Sequence, residues 1–307
     1  MERKWVMAQQ PQPFDDRDGF IWMNGQLIPW RDANIHVLTH GLHYGSAVFE
    51  GQRSYGGRVF KLEEHTERLF ASAKALDMKI PFTAQELNDA NYAVLKANNV
   101  VDGYLRPIVW RGSEQMGVLA THTRINVAIA TWLWPSYYTV EARLKGIRMN
   151  ISEWKRPSPE MAPVKAKAAG LYMICTLSKN IAEASGYEDS LFYDYRGYIA
   201  EATGANVFFV INGEIHTPVA DCFLDGITRR TVIDLARARG YKVIERAIMP
   251  DEMSKAQECF ITGTAAEVTP VREIGPYQFT PAEVCRALMT DYDALVRGQS
   301  VAKSSAA

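Results

Sequence analysis

This sequence predicts a mixed α/β (α+β) fold in two domains, on three observations. The chain has 307 residues, 47% hydrophobic and 22% charged, enough for two ordinary cores. Helical and strand periodicities are interspersed without the regular alternation of a doubly wound parallel sheet. The segment "PSYYTVEARLKG" after Trp134 interrupts both patterns. Residues 137–146 therefore read as a link between a smaller domain, 1–136, and a larger one, 147–307.

The elements follow in order. The first dozen residues, rich in Gln and Pro, read as a mobile arm. "GFIWMNGQLIPW" is a hairpin, because Asn24-Gly25 supplies the positive φ angles of a tight turn. "EEHTERLFASAKAL" repeats Leu69, Phe70, Ala73 and Leu76 at helical spacing, and Pro81 ends the pattern. "TAQELNDANYAVLKANNV" is a second amphipathic helix, and "GYLRPIVWRG" and "RINVAIATWLW" are strands. In the second half, "IRMNISEW" is a strand and "LYMICTLSKNIAEASGY" a helix closed by Gly186. "DSLFYDYRGYIAEATGANVFFVINGEIHTP" alternates strands about turns at 195–197 and 212–213. "GITRRTVIDLARARG" is a helix, "YKVIERAI" a strand and "TPAEVCRALMTDYDALVRG" the last helix before a Ser/Ala tail.

A net charge of −1 gives no electrostatic reason to expect nucleic acid or an anionic membrane as partner. No apolar run reaches the roughly 20 residues of a membrane span. "MERKWVMAQQPQPF" has no apolar leader core, so the cytoplasm is the expected compartment. Cys175, Cys222, Cys259 and Cys285 lie far apart and read as buried thiols in a reducing compartment. His36, His40 and His43 have helix-like spacing, but no carboxylate completes a metal set, so hydrogen bonding is expected and no metal.

Several short stretches can carry chemistry. "VKAKAAGLYM" places Lys165 and Lys167 among small residues, where a lysine is either a surface group or a tuned amine. In "FLDGITRRTVI", Ile227 and Thr228 open a helix with free N–H groups after Gly226; such a start holds an anion or simply water. Gly263, Thr264 and Ala265 form either an amide nest or an ordinary turn. Glu201 in "GYIAEATGANVFFV" either faces solvent or needs a buried counter-charge, such as a protonated ring nitrogen. Tyr104 and Arg106, two apart on a strand, share a face as a surface pair or a carboxylate clamp.

A reactive amine, an acid for a ring nitrogen, a phosphate site and a carboxylate nest together make up a pyridoxal 5'-phosphate site. From "IWMNGQLIPWRDANIHVLTHGLHYGSAVFEG" through "RPIVWRG", "AKAAGLY", "YIAEATGANVFFV" and "DGITRRTVI" to "FITGTAAEVTPV", the chain resembles the fold-type IV aminotransferases, most closely the branched-chain amino acid aminotransferases. That resemblance implies a cofactor between the two domains and transamination of leucine, isoleucine or valine with 2-oxoglutarate. It also implies a homodimer, or a hexamer, in which each subunit lends residues to its neighbour's pocket.

The resemblance selects Lys167 as the amine, five residues before Tyr172, and leaves Lys165 as a bystander. It implies Glu201 at the pyridine nitrogen and Tyr172 at the phenolic oxygen. Arg68, Ile227, Thr228 and Thr264 would hold the phosphate, with Leu224 against the ring. Tyr104 with the Thr264 and Ala265 amides would take the substrate carboxylate. Phe49, Trp134 and Tyr172, with Tyr44, Met116 and Val118 of the other subunit, would line the side-chain pocket, and Arg106 would admit glutamate. Two positions depart from the family pattern: Leu171 stands where an amide side chain is common, and Ala205 where a glutamate is. Relatives of the same fold act on D-amino acids or chiral amines, or as lyases on aminodeoxychorismate. Tyr104, Arg106 and the run Met116-Gly117-Val118 favour the branched-chain reading. A silent cofactor-binding protein is disfavoured because both Lys167 and Glu201 are retained.

Overall fold

The computed structural model describes residues 12–134, 143 and 145–300. Two antiparallel-rich sheets, each with its own core, account for most of it. The expected N-terminal arm, the Ser/Ala tail and most of the 137–146 link lie outside the described residues.

The first sheet contains β1 (Phe20–Met23), β2 (Gln26–Pro29), β3 (Ala47–Phe49), β4 (Gln52–Tyr55), β5 (Arg58–Val59), β6 (Gly103–Arg111) and β7 (Ile125–Leu133). Its order is β2-β1-β7-β6-β4-β5, with β3 also paired to β6. The β1–β2 turn is as expected, with Asn24 at φ 49° and Gly25 at φ 99°. "HGLHY", whose glycines suggest a loop, is instead the short helix α1 (His40–Tyr44), closed by Gly45 in the left-handed region. Its histidines are taken up by hydrogen bonds: His40 with Ser46 and the Gly117 carbonyl, His43 with the Val37 carbonyl. Helices α2 (Leu62–Ala75) and α3 (Ala84–Ala97) cover one face of the sheet. Thr83 and Glu86 form a reciprocal capping box at the start of α3. Leu69, Ala73, Leu87 and Val94 from these helices meet Leu105, Val109, Val127 and Ile129 of the sheet in one core.

The second sheet contains β8 (Ile147–Arg156), β9 (Asp189–Asp194), β10 (Ile199–Ala202), β11 (Asn206–Ile211), β12 (Glu214–Thr217), β13 (Val243–Glu245), β14 (Glu258–Gly263), β15 (Glu267–Ile274) and β16 (Tyr277–Gln278). It runs β10-β9-β8-β15-β14-β11-β12-β13, with β16 on β15. Pairings β8–β9, β8–β15 and β12–β13 are parallel, and the others antiparallel. Helix α4 (Met173–Ala184) packs near β8 and β9, and α5 (Ile227–Ala238) and α6 (Glu283–Val296) near β14 and β15. The sequence predicts α4 from Leu171. The chain instead makes a 3-10 turn over Ala169–Tyr172 before the helix begins. All four cysteines are free and buried.

On the helix-covered face, Phe208 of β11 and Phe260 of β14 stand directly opposite and stack, centroids 4.9 Å apart and planes within 5°. Both are fully buried. Phe208→Ala should therefore cost about 3–5 kcal/mol of stability through lost burial and a residual cavity. A urea-unfolding midpoint unchanged from wild type would contradict that packing.

Candidate active site

A partly enclosed cleft lies between the two sheets, and concave sites of this kind are where small molecules are usually held. Gly51, Arg68 and Tyr104 come from the first part of the chain. Arg156, Lys167, Tyr172, Cys175, Glu201, Asn206, Leu224, Ile227, Thr228, Thr264 and Ala265 come from the second. Phe49 and Arg106 line the adjoining end with Tyr104, Lys167, Tyr172 and Ala265.

Geometry separates the two lysines. Ala166 and Ala168 are buried in the first core, while Lys167 between them opens onto the cleft and Lys165 is exposed. The Lys167 backbone is pinned on both sides: its N–H donates to Ser72 Oγ at 3.0 Å, and its carbonyl accepts from Phe49 N at 3.1 Å. The 3-10 turn then brings Tyr172 back over the lysine, with Nζ 2.8 Å from the phenolic oxygen. Burial, then the nearby Arg68 charge, lowers the proton affinity of the Lys167 amine. Burial and Glu201 together raise that of the Tyr172 phenol.

Glu201, on β10, faces the cleft with only 12% of its side chain exposed. Its counter-charge within the chain is Arg156, at the end of β8, with Nε 3.3 Å from Oε1. Burial still raises the carboxyl to about 7, against the pull of Arg156 and Lys167. Arg156 Nε itself is buried without a hydrogen-bond partner, as is the hydroxyl of Thr262.

At the other end, Arg68 presents its Nε and Nη2 edge to Glu50, at 2.7 and 2.9 Å. Glu50 is fully buried and also takes the Nδ1 hydrogen bond of His65 at 2.7 Å. Burial opposes the Glu50 charge, but Arg68 and His65 more than offset it and hold the carboxyl well below its usual range. Nearby, α5 starts at Ile227 with no side-chain cap, because Gly226 has none to offer. Its first amides and helix dipole are available to an anion. Arg229, buried in the first turn of α5, grips Asp225, the Pro218 carbonyl and Glu245, which fixes the approach to that helix.

Tyr104 and Arg106 share a face as expected, with Arg106 Nη2 donating to the Tyr104 hydroxyl at 3.3 Å. A side chain at Gly51 would collide with the Tyr104 hydroxyl, so glycine there leaves room for the ring to enter the cleft. Arg106 also lies over the Phe49 ring, 4.8 Å from its centroid. Trp134 stands outside the cleft lining, packed 6.2 Å from Tyr104 and 6.1 Å from Trp132. Tyr44, Met116 and Val118 are exposed and do not line this chain's own cleft. Leu171 turns away into the first core, whereas Ala205 does line the cleft.

The sequence reading missed Arg156, Glu50, His65 and Asn206. Arg156 lies two residues beyond the recognised strand 147–154, and nothing local marks it as buried. Glu50 precedes a glycine and finds its partners 15 and 18 residues later on α2. Helical spacing does place His65 and Arg68 on one face of α2, which is the one usable signal.

Known proteins share the fold of this chain. A family profile described as amino-transferase class IV matches residues 47–274. The branched-chain-amino-acid aminotransferase of Pseudomonas aeruginosa is 44% identical over 84% of this chain and 86% of its own. Among solved structures, the branched-chain amino acid aminotransferase of Escherichia coli superposes with a TM-score of 0.89 at 35% identity, covering 92% of this chain and 96% of that one. The branched-chain amino acid aminotransferase of Thermobaculum terrenum, solved in its PLP (holo) form, gives 0.84 at 30% identity, covering 92% and 94%. A fold of two sheets closing on a lysine-bearing cleft, matched at this depth along most of its length, identifies the chain as a member of the class IV aminotransferases, with their fold-type IV architecture.

Proposed function

We propose that the protein is a pyridoxal 5'-phosphate-dependent aminotransferase that moves amino groups between branched-chain L-amino acids and 2-oxoglutarate. One observation carries the reading: an enclosed lysine amine meets a phenol at 2.8 Å in a cleft with a buried carboxylate at one end and an arginine beside an uncapped helix start at the other. The donor set fits this cofactor. Glu201 matches a ring nitrogen and Tyr172 a phenolic oxygen. Arg68, Ile227, Thr228 and Thr264 suit a phosphate, and Leu224 offers an apolar face to a ring. The orphaned Thr262 hydroxyl is a further polar group awaiting a partner there.

Bound in this cleft, the cofactor would supply an aldehyde for the amino group and a ring able to accept electrons from the α-carbon. The chain does the rest. Lys167, depleted of proton affinity by burial and Arg68, takes the proton from the donor's α-carbon at Nζ and later returns it. Glu201 keeps a positive charge favourable at the floor of the cleft, with Arg156 sharing its carboxylate. Tyr104 and the amides of Thr264 and Ala265 hold the substrate carboxylate, which orients the bond to the α-proton. Phe49 and Tyr172 form the apolar wall for the donor side chain, with Trp134 packed behind Tyr104, and Arg106 takes the second carboxylate of glutamate. The names of the relatives support branched-chain donors over D-amino acids or amines.

Residues 1–136 and 147–307 act as two domains joined by 137–146. The exposed apolar surface supports a homodimer or larger homo-oligomer. Val37, Leu42, Tyr44, Met116, Val118, Leu119 and Met173 are all exposed, and large apolar side chains left in water are what an interface would cover. In that assembly Tyr44, Met116 and Val118 would complete the partner's side-chain pocket. Four free, buried cysteines support a reducing, cytoplasmic setting. No described helix is long and apolar enough to cross a membrane.

A donor panel with 2-oxoglutarate should show turnover of leucine, isoleucine and valine. Dominance of D-alanine or 1-phenylethylamine would overturn the branched-chain reading while leaving the family intact. Lys167→Ala should lower kcat by roughly 10²–10⁴-fold or more and remove the bound chromophore's visible absorbance; substantial residual turnover would reject the assignment. Glu201→Gln should retain cofactor but lose on the order of a hundredfold in kcat, about 2.7 kcal/mol of barrier, and an unchanged rate would contradict its pairing role. Light scattering should give a dimer or larger species, and Val118→Asp should weaken that assembly. A monomeric wild-type protein with full activity would rule out a shared pocket.

A further inference from the structure

Asn206 sits at the first position of β11, where it faces Glu201 across β10 and Thr262 across β14. It is buried. Its carboxamide Nδ2 donates to the Leu224 carbonyl at 3.0 Å and to Glu201 Oε2 at 3.4 Å. On the other side, any Cβ added at Gly226 would collide with Asn206 Oδ1. The amide is thus wedged between the carboxylate on the floor of the cleft and the loop that leads into α5. Among the described residues, no other side chain hydrogen-bonds to both.

We propose that Asn206 is a positioning residue that fixes the spacing between Glu201 and the 224–228 loop, an inference that rests on the cofactor reading above. The physical need is plain. A flat, rigid ligand with a ring nitrogen at one end and a phosphate at the other demands two anchor points at one separation. Glu201 is held by the sheet, but Leu224, Gly226 and the first amides of α5 belong to a loop end, and loops move more than the strands they join. One hydrogen-bonded amide converts that loop into part of the sheet's geometry. The carboxamide is also neutral, so it orients Glu201 without competing for its charge as Arg156 does.

The test compares Asn206→Asp, Asn206→Ala and Gly226→Ala in the full-length protein. Pyridoxal 5'-phosphate affinity is read by visible absorbance, and melting temperature is read with and without cofactor. The isosteric aspartate places an acceptor against the Leu224 carbonyl and a like charge beside Glu201. Around that pair stand Arg156, Lys167, Tyr172 and Cys175, with Asp225 and Arg229 on the loop side.

At mildly alkaline pH, Asn206→Asp should lose about tenfold or more in cofactor affinity. Its deficit relative to Asn206→Ala should shrink toward acid, as the two carboxyls come to share a proton and a donor is restored. Gly226→Ala should weaken binding in the wild-type background and add little once Asn206 is alanine, because the collision is then gone. Equal losses for Asp and Ala at every pH, unchanged affinity in both, or additive losses for the Gly226 pair would each overturn the proposal. If the aspartate variant fails to melt cooperatively, the alanine cycle decides. Wild-type protein that takes up no cofactor would sink the cofactor reading as well. Cofactor-replete wild type with unaffected variants would sink only the role of Asn206.

Discussion

Four buried charges govern this molecule. Arg68 and Arg156 stand at two ends of one cleft, each matched to a carboxylate that water barely reaches, Glu50 and Glu201. Lys167 opens onto the same enclosed space, and its amine is shaped by all of this: burial and Arg68 lower its proton affinity, while Glu50 raises it. An isolated ion in such surroundings would be strongly unfavourable, so each must arrive already paired. The fold supplies the pairing, and the burial it imposes lowers the proton affinity of the amine.

The two pairs differ in quality. Glu50 is saturated: a two-pronged arginine, a histidine N–H and no contact with solvent. It is a fixed backing for Arg68, which lines the cleft. Glu201 is under-satisfied, with a longer contact to Arg156 and a carboxyl raised to about 7 by burial. A carboxylate in that condition gains from a further cation placed before it. The same asymmetry appears at Arg156, whose Nε is buried without a hydrogen bond. Unsatisfied polar groups in a core are costly unless something binds there.

The architecture delivers these groups by joining pieces far apart in sequence. Helix α2 and strand β6 bring Arg68 and Tyr104. The segment after β8 brings Lys167, pinned to Ser72 and Phe49 of the first half. The second sheet brings Glu201 and the small-residue turns 203–205 and 263–265, which abut so closely that Gly263 sits against the Gly204 carbonyl. Exposed apolar residues on α1 and around 116–119 lie outside this cleft.

Much of this is legible in the sequence, for local reasons. The Asn24-Gly25 hairpin, the capped helices, the alternating strands and the glycine-started helix at Ile227 depend on neighbours within a few residues. Period and turn chemistry reflect such neighbours faithfully. Resemblance to a known family then assigns roles to Lys167, Tyr172 and Glu201. What only the tertiary structure decides are the partnerships across chain distance. Glu50 with His65 and Arg68, Arg156 with Glu201, and Asn206 with Leu224 leave no mark on periodicity. Likewise "HGLHYG" reads as a loop but closes as a helix, "LYM" reads as helical but includes the 3-10 turn that swings Tyr172 over Lys167, and Leu171 turns into the core. The reason is common to all: a side chain's burial and charge state are set by what packs against it in space, and a linear sequence specifies that only once the chain has folded.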